Sequence, residues 1–419
     1  MGALSHMKAI SSQCRFCDEP LVHTFVDLGM SPLANSYIDV SKQNEMEAFY
    51  PLHVYVCEKC LLVQLEEFEK AADIFSDYAY FSSYSESWLQ HAKDYVDMMV
   101  KRFSFGSDSQ VMEIASNDGY LLQYFQEKGV PVLGVEPAAN IAKVASERGI
   151  PSIVKFFSVK TAHELVAQGK QADLLVGNNV LAHVPDLNDF VAGIKVILNP
   201  RGIVTMEFPY IVRLMAEKQF DTIYHEHFSY FSFQTVERIF AKHGLTLFDV
   251  EEVSTHGGSL RIFGRHTEET SLPVTSNVRD LKQSEQGEGF GELNRYLSFT
   301  ESVQETKYRL LEFLISAKRQ GKTVVSYGAP AKGNTLLNFC GVGKDFIDYT
   351  VDRSPQKQGC VLPGTHIPVF HPDRIKETQP DYVLILPWNI KDEVMSQMAH
   401  IREWGGKFVT PIPEVKVYA

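Results

Sequence analysis

Val111 to Leu122 reads VMEIASNDGYLL, and this stretch decides the fold. Apolar residues carry Glu113, five small residues follow as Ala115–Ser116–Asn117–Asp118–Gly119, and apolar periodicity resumes at Tyr120. That is a strand, a loop whose backbone a ligand can approach, and a helix start with free N–H groups. A full GxGxxG is absent, so this is not the dinucleotide fingerprint. The alternation continues outward. VLGVEP (132–137) reads as a strand and NIAKVASERG (140–149) as a helix; PSIVKFF (151–157) is a strand, and 161–169 a helix. DLLVGNN (173–179) and GIVTMEFP (202–209) are strands around the helix DLNDFVAGIKVIL (186–198). Strands separated by helices of ~10–15 residues predict a parallel sheet covered on both faces. A helix over Phe233–Gly244 then leads to TLFDVEEV (246–253) and SLRIFGRH (259–266), close enough to pair antiparallel. Residues 267–298 read as a loop and the start of a long helix. From Thr323 a second α/β block begins: strand TVVSYG, a helix from Asn334, strands DYTVD and DYVLILP, a helix through Val394 to Trp404, and strand KFVTPIP.

The chain has 419 residues, enough for two or three domains. Forty Lys and Arg stand against 52 Asp and Glu, for a net charge of −12. That balance argues against nucleic acid or an anionic membrane as the main partner, since both need clustered cations. No apolar run approaches the ~18 residues of a membrane helix, and no leader pattern opens the chain. A cytoplasmic location is therefore expected. Six cysteines form no disulfide framework, but four fall in two CxxC pairs, Cys14–Cys17 and Cys57–Cys60. A two-residue spacer lets both sulfurs of a pair converge on one tetrahedral ion, and four thiolates leave no open position. The expected zinc is structural, within a small β-rich module.

Candidate ligand contacts sit at strand ends. Glu136, followed by Pro137, ends the second strand of the block, where an acid can accept from two ribose hydroxyls. Phe156, with Phe157, ends the third and could cover an adenine; Asn178 and Asn179 end the fourth. With Ala115, Ser116, Asn117 and Gly119, these residues in this order resemble the class I S-adenosylmethionine-dependent methyltransferases, although the loop has one glycine where that class commonly has more.

Two further motifs stand near strand ends. Tyr224–His225–Glu226–His227 follows the fifth strand, where such folds put their ligands, and a histidine there can act as a general base near neutral pH. His183, after the fourth strand, is a second candidate. GAPAKGNT (328–335) nearly spells a Walker A loop, but Asn334 stands where its lysine should be, so an ATPase is not expected. The small residues, a helix N-terminus and Lys332, Gly333, Asn334 and Thr335 still suit a pyrophosphate. Asp352, Arg353 and Lys357 fall near the sugar or phosphates of such a nucleotide, and Trp388 could stack on its base.

The succession CxxC–CxxC, SNDG, YHEH, HGGSLR (256–261), GAPAKGNT and DRSPQKQG resembles the C-methyltransferases of deoxysugar-nucleotide biosynthesis over essentially the whole chain from about residue 11. Within that family it is most similar to the C-3′ methyltransferases of tetronitrose formation. The resemblance implies a zinc module (8–70), an S-adenosylmethionine domain of class I, Rossmann-like fold (71–266) and a Rossmann-like sugar-nucleotide domain (267–419). It implies a dTDP-linked 4-keto-deoxysugar as substrate, on a path to an antibiotic. The keto group acidifies the C-3′ hydrogen, a base removes it, and the carbon takes the methyl. His227 is the expected base, Tyr224 and Glu226 its partners, and His183 and Tyr78 flank the sugar. A monomer is expected, although no motif decides it. The alternative within enzymes is an O- or N-methyltransferase on another nucleotide-linked metabolite. A zinc-ribbon nucleic-acid binder is disfavoured by the charge.

Overall fold

The structure is a computed structural model of the chain and describes residues 12–70 and 81–419. An N-terminal sheet begins with β1 (His23–Ser31), β2 (Tyr50–Val56) and β3 (Val63–Leu65). Leu52, Val54 and Val56 of β2 are buried while His53 and Tyr55 are partly exposed, the period of two that a one-sided sheet imposes. The sheet's fourth strand comes from far downstream: Ser229 pairs Gln64 and Tyr230 pairs Val63. Ile38–Asp39 reaches in the other direction and pairs Cys360–Val361.

The middle of the chain opens with α1 (Glu86–Phe103) and then alternates as the pattern predicts. In order come β4 (Val111–Ile114), α2 (Leu122–Glu127), β5 (Val132–Val135), α3 (Ala139–Glu147), β6 (Ser152–Ile153), α4 (Val159–Ala167), β7 (Ala172–Asn178), α5 (Leu187–Ile197) and β8 (Leu198–Pro209). The short strand Ser229–Tyr230 is β9; α6 (Phe233–Lys242), β10 (Leu245–Val253) and β11 (Ser259–His266) close the unit. The sheet order is β10-β11-β8-β7-β4-β5-β6, parallel except for β11, which lies antiparallel to both its neighbours. Every residue of β4 and β5 is buried, as expected of strands covered on both faces.

Three boundaries differ from the sequence reading. The strand PSIVKFF shrinks to Ser152–Ile153, so Phe156 lies in the following loop and is 43% exposed. The helix after the small-residue loop starts at Leu122 and not at Gly119. Residues 267–298 hold a helix of their own, α7 (Ser276–Gly287), and a short one, α8 (Leu293–Leu297), before the long α9 (Phe299–Arg319). The inward face of α7 hides from hydropathy because it is capped by a glutamate. Fully buried Glu285 accepts from the Tyr210 hydroxyl and from the main-chain N–H groups of Phe233 and Gln234, satisfying the start of α6.

The C-terminal sheet comprises β12 (Val324–Tyr327), β13 (Thr350–Val351), β14 (Val369–Phe370), β15 (Tyr382–Ile385), β16 (Lys407–Thr410) and β17 (Lys416–Tyr418), in the order β14-β13-β12-β15-β16-β17. Only β17 is antiparallel. Neighbours β13 and β15 flank β12, so the carboxyl end of β12 is the topological switch point, where open sheets bind ligands. GAPAKGNT lies there, and α10 (Ala331–Cys340) starts within it, three residues before the expected Asn334.

Candidate active site

The four paired cysteines form one cage. Their sulfurs all lie within 4.8 Å of one another, with Cys14–Cys60 and Cys17–Cys57 at 3.5 Å. A tetrahedron with zinc–sulfur bonds of ~2.3 Å has edges of about 3.8 Å. The two knuckles share one turn: Asp18 N–H donates to the Cys14 carbonyl and Leu61 N–H to the Cys57 carbonyl, each at 2.9 Å. Asp18 and Leu61 both adopt positive φ, 61° and 60°. Hydrogen bonds from Cys57 and Cys60 hold the Cys14 thiol far below its ordinary range, and Gln64 donates to its sulfur at 3.2 Å. Four sulfurs converging from two CxxC turns, three of them buried, fit a soft divalent cation such as zinc.

The carboxyl edge of the middle sheet is built from strained backbone. Ala115, Asn117 and Asn179 all have positive φ (54°, 49° and 53°), unusual for residues with a side chain. Glu136 fixes the loop: Oε2 accepts from Asn117 N–H and Oε1 from Ala138 N–H, both at 2.9 Å. Burial raises its pKa and these two donors oppose the rise. Asn178 ends β7 buried, and Asn179 Oδ1 is a buried acceptor without a partner. Gly134 leaves room for Ser116, whose hydroxyl would lie 2.3 Å from any Cβ there. The edge thus offers a carboxylate and an unused carbonyl oxygen, acceptors that suit the hydroxyls and ammonium of S-adenosylmethionine. Phe156 stands apart from this edge in its loop, and Phe157 packs against Phe190.

Sequence reasoning missed Trp88, whose ring lies 5.9 Å from Tyr120 and 5.1 Å from His256. It also left the HGGSLR turn without a role. His256, at φ 55°, accepts from Asn179 Nδ2 through Nε2 at 2.8 Å, so the turn reaches back to the carboxyl edge of the middle sheet.

The YHEH segment is held from three sides. Phe228 N–H donates to the Ala182 carbonyl, Leu65 N–H donates to the Phe228 carbonyl, and β9 follows at once. His225 turns away, donating to the Pro51 carbonyl between Tyr50 and Phe68. His227 turns inward. Its Nδ1 faces the Thr222 carbonyl at 2.8 Å, and because a carbonyl only accepts, Nδ1 carries the proton and Nε2 is left with a free lone pair. His183 Nδ1 likewise donates to a main-chain carbonyl, that of Glu226, at 2.7 Å. The two imidazoles stand at 67° with centroids 4.7 Å apart, and the Tyr224 ring is 4.0 Å from His227. Burial pushes His183 down to about 4 and His227 well below its ordinary value, so both are neutral bases at pH 7. Buried Glu226 accepts from Asn35 Nδ2 at 2.6 Å, and burial raises its pKa. Tyr78 lies outside the described residues.

The start of α10 abuts this pocket. Asn334 Nδ2 donates to the Ala34 carbonyl at 2.6 Å, and Thr335 Oγ1 to the Ile223 carbonyl at 2.9 Å. Gly333 packs on Leu386, with no more than 3.0 Å for an added Cβ. Lys332 Nζ donates to Asn389 Oδ1 at 2.6 Å and lies 4.6 Å over the Trp388 ring. Trp388 Nε1–H donates to Asp221 Oδ2 at 2.7 Å, and burial brings Asp221 up to about 6. Asp352 accepts from Ala329 and Ser354 N–H groups, Lys357 donates to the Ala329 carbonyl, and Arg353 is exposed. The structure therefore brings Lys332, Trp388 and the histidines together and leaves Arg353 outside.

Comparison with known proteins follows the same three parts. Family models match in succession: "Putative zinc binding domain" over 14–75, "Methyltransferase domain" over 88–250 and "C-methyltransferase C-terminal domain" over 254–413. C-methyltransferase NovU of Streptomyces niveus is 35% identical over 405 residues, 97% of this chain and 96% of that one. The ubiquinone biosynthesis O-methyltransferase of Azorhizobium caulinodans is 26% identical over 116 residues, 26% of this chain and 46% of its own. Among solved structures, the PH0226 protein of Pyrococcus horikoshii aligns at TM-score 0.36 and 16% identity, over 48% of this chain and 99% of that one. Magnesium protoporphyrin IX methyltransferase of Synechocystis aligns at 0.32 and 13%, over 42% and 78%.

Proposed function

The chain belongs to the family of S-adenosylmethionine-dependent C-methyltransferases that includes NovU, and from that premise we propose that it methylates C-3′ of a dTDP-linked 4-keto-deoxysugar. The observation that carries the reading is His227: a neutral imidazole whose Nδ1–H is fixed on a main-chain carbonyl and whose Nε2 is free to take a proton. A carbon beside a ketone is methylated only after its C–H proton leaves, so a carbon methyltransferase needs such a base at the carbon; a hydroxyl acceptor gives up its O–H proton instead and leaves the carbon untouched. His227 takes the C-3′ proton; Tyr224, its ring tilted against the imidazole, and His183 shape the pocket for the sugar. Glu226 orients His183 through its carbonyl and stays tied to Asn35 through its carboxyl group.

The donor supplies an electrophilic methyl group, which has to lie ~3–3.5 Å from the carbon and in line with it. Glu136 and the Ala115–Gly119 loop hold its ribose and amino-acid ends, and Asn178 and Asn179 close the edge. GAPAKGNT, Asp352 and Lys357 hold the nucleotide. Zinc on Cys14, Cys17, Cys57 and Cys60 supports the fold and takes no part in the chemistry. Among the described residues no helix is long and apolar enough to cross a membrane. The test is the position of the transferred methyl. With an isotopically labelled methyl donor, NMR of the product should show a methyl on a quaternary ring carbon. A methoxy signal would replace this reading with an O-methyltransferase.

A further inference from the structure

Lys332 belongs, by sequence pattern, to a phosphate loop, but its surroundings are those of the histidine pocket. Asn334 and Thr335 fasten the first turns of α10 to Ala34 and to Ile223, the residue before Tyr224. The lysine stem then crosses the Trp388 indole, and Trp388 is itself bonded to Asp221, the neighbour of Thr222, whose carbonyl holds His227. Its positive charge is felt at Asp221, His227 and His256 alike. The other cations of the same strand ends do not compete for this place. Lys357 donates to the Ala329 carbonyl near Tyr37 and keeps its other N–H groups for the proposed nucleotide, and Arg353 is exposed. Of the three N–H donors on Nζ, one goes to Asn389.

Removing a proton next to a ketone puts negative charge on the ketone oxygen; His227 becomes a cation on taking that proton, but it does so beside the carbon, so the oxygen calls for a donor of its own. We propose that Lys332 donates an N–H to the 4-keto oxygen of the sugar and stabilises the enolate, a role at the reacting carbon and not at the pyrophosphate. The proposal rests on the C-methylation reading above. In the step, the C-3′–H bond breaks and its proton passes to His227 Nε2, while the electron pair moves into the ring and its charge settles on the oxygen facing Lys332. Lys332 keeps its protons. When the carbon takes the methyl, the donor's sulfur–carbon bond breaks, the ketone re-forms, and His227 returns its proton to solvent. Trp388 and Asp221 are positioning residues that aim the lysine.

The experiment is hydrogen exchange at C-3′ in D2O, read by NMR, with S-adenosylhomocysteine in place of the donor and saturating dTDP-4-keto-6-deoxyglucose as the probe. Removing one preorganised donor from an oxyanion costs ~10²–10³-fold. K332M should lower exchange by that factor while calorimetry finds dTDP affinity within about threefold of the parent. K332L, which keeps an apolar stem against Trp388 but has no donor, gives the same reading should the methionine variant not fold. Unchanged exchange at saturation, with dTDP bound roughly tenfold more weakly, would overturn the proposal and return Lys332 to the phosphate. Absence of exchange in the parent protein would instead strike at C-methylation itself.

Discussion

Replacing Glu136 probes the donor site through geometry that can be worked in advance. Its carboxylate takes two main-chain N–H groups, from Asn117 and Ala138, at 2.9 Å each, and its remaining lone pairs face the edge where the ribose is proposed to lie. Bonds to a charged acceptor contribute ~1.5–3 kcal/mol each. Glu136→Gln keeps one carbonyl oxygen, so one of the two N–H groups meets an NH2 instead, and the loop carrying Asn117 at positive φ loses an anchor. Burial already opposes the charge on Glu136, so neutralising it recovers part of the cost, and the net loss of stability should be only ~1 kcal/mol. Donor affinity should suffer more. Losing ribose contacts of ~1.5–3 kcal/mol weakens S-adenosylhomocysteine by about 10–150-fold, with Glu136→Ala at the upper end. Isothermal calorimetry measures the affinity, and thermal melting reports the fold. A Glu136→Ala protein that melts like the parent and binds S-adenosylhomocysteine equally well would refute the placement.

Freshly purified protein should carry about one zinc per chain, and chelation should disturb more than the module, because β9 follows His227 by two residues and pairs with β3; metal analysis without zinc, or a fold indifferent to chelation, would contradict this. Burial lowers His183 to about 4 and His227 well below its ordinary value in the folded chain, against ~6.5 unfolded, so the unfolded chain binds these protons first and their contribution to stability, full above pH 6.5, is lost as pH falls toward 4. Buried carboxyl groups act oppositely: Asp221 is raised to about 6, and burial also raises Glu113, Glu136, Glu226 and Glu285, so the histidine contribution is read as the difference between the parent and a variant without the imidazole. From pH 7 to pH 5 the parent should therefore lose melting temperature relative to His183→Phe; identical profiles for the two proteins would show that His183 is not held neutral. Finally, dTDP should raise the melting temperature where thymidine does not, and stronger stabilisation by ATP would mean that GAPAKGNT serves as a nucleotide-triphosphate loop.

Much of the architecture was legible because it is periodic. Both α/β blocks declare themselves by strands and helices that alternate every ten to fifteen residues, and the CxxC pairs declare one cage by their spacing. What was not legible is non-local or breaks the period. The strand Ser229–Tyr230 is too short to carry an alternation, yet it places the YHEH motif on the zinc module's sheet. Helix α7 presents Glu285 inward, so its buried face does not look apolar. PSIVKFF has the composition of a strand, but pairing stops at Ile153, where the edge of the sheet has no further neighbour. Within the site, motif reading grouped Tyr224 to His227 as a unit, whereas the chain sends His225 toward Pro51 and only His227 toward His183. Asp221 and Trp88 carried no sequence signal, since each matters through a partner more than a hundred residues away or on another element.

The central claim is that His227 removes a proton from carbon. The most direct measurement is C-3′ hydrogen exchange in D2O, with S-adenosylhomocysteine bound, in the parent, His227→Asn and Tyr224→Phe proteins. The parent should exchange, and His227→Asn should be slower by ~10²–10⁴-fold, the usual cost of losing a general base, while still binding S-adenosylhomocysteine and dTDP. Exchange that persists in His227→Asn and vanishes in Tyr224→Phe would make the tyrosine the base and contradict the account.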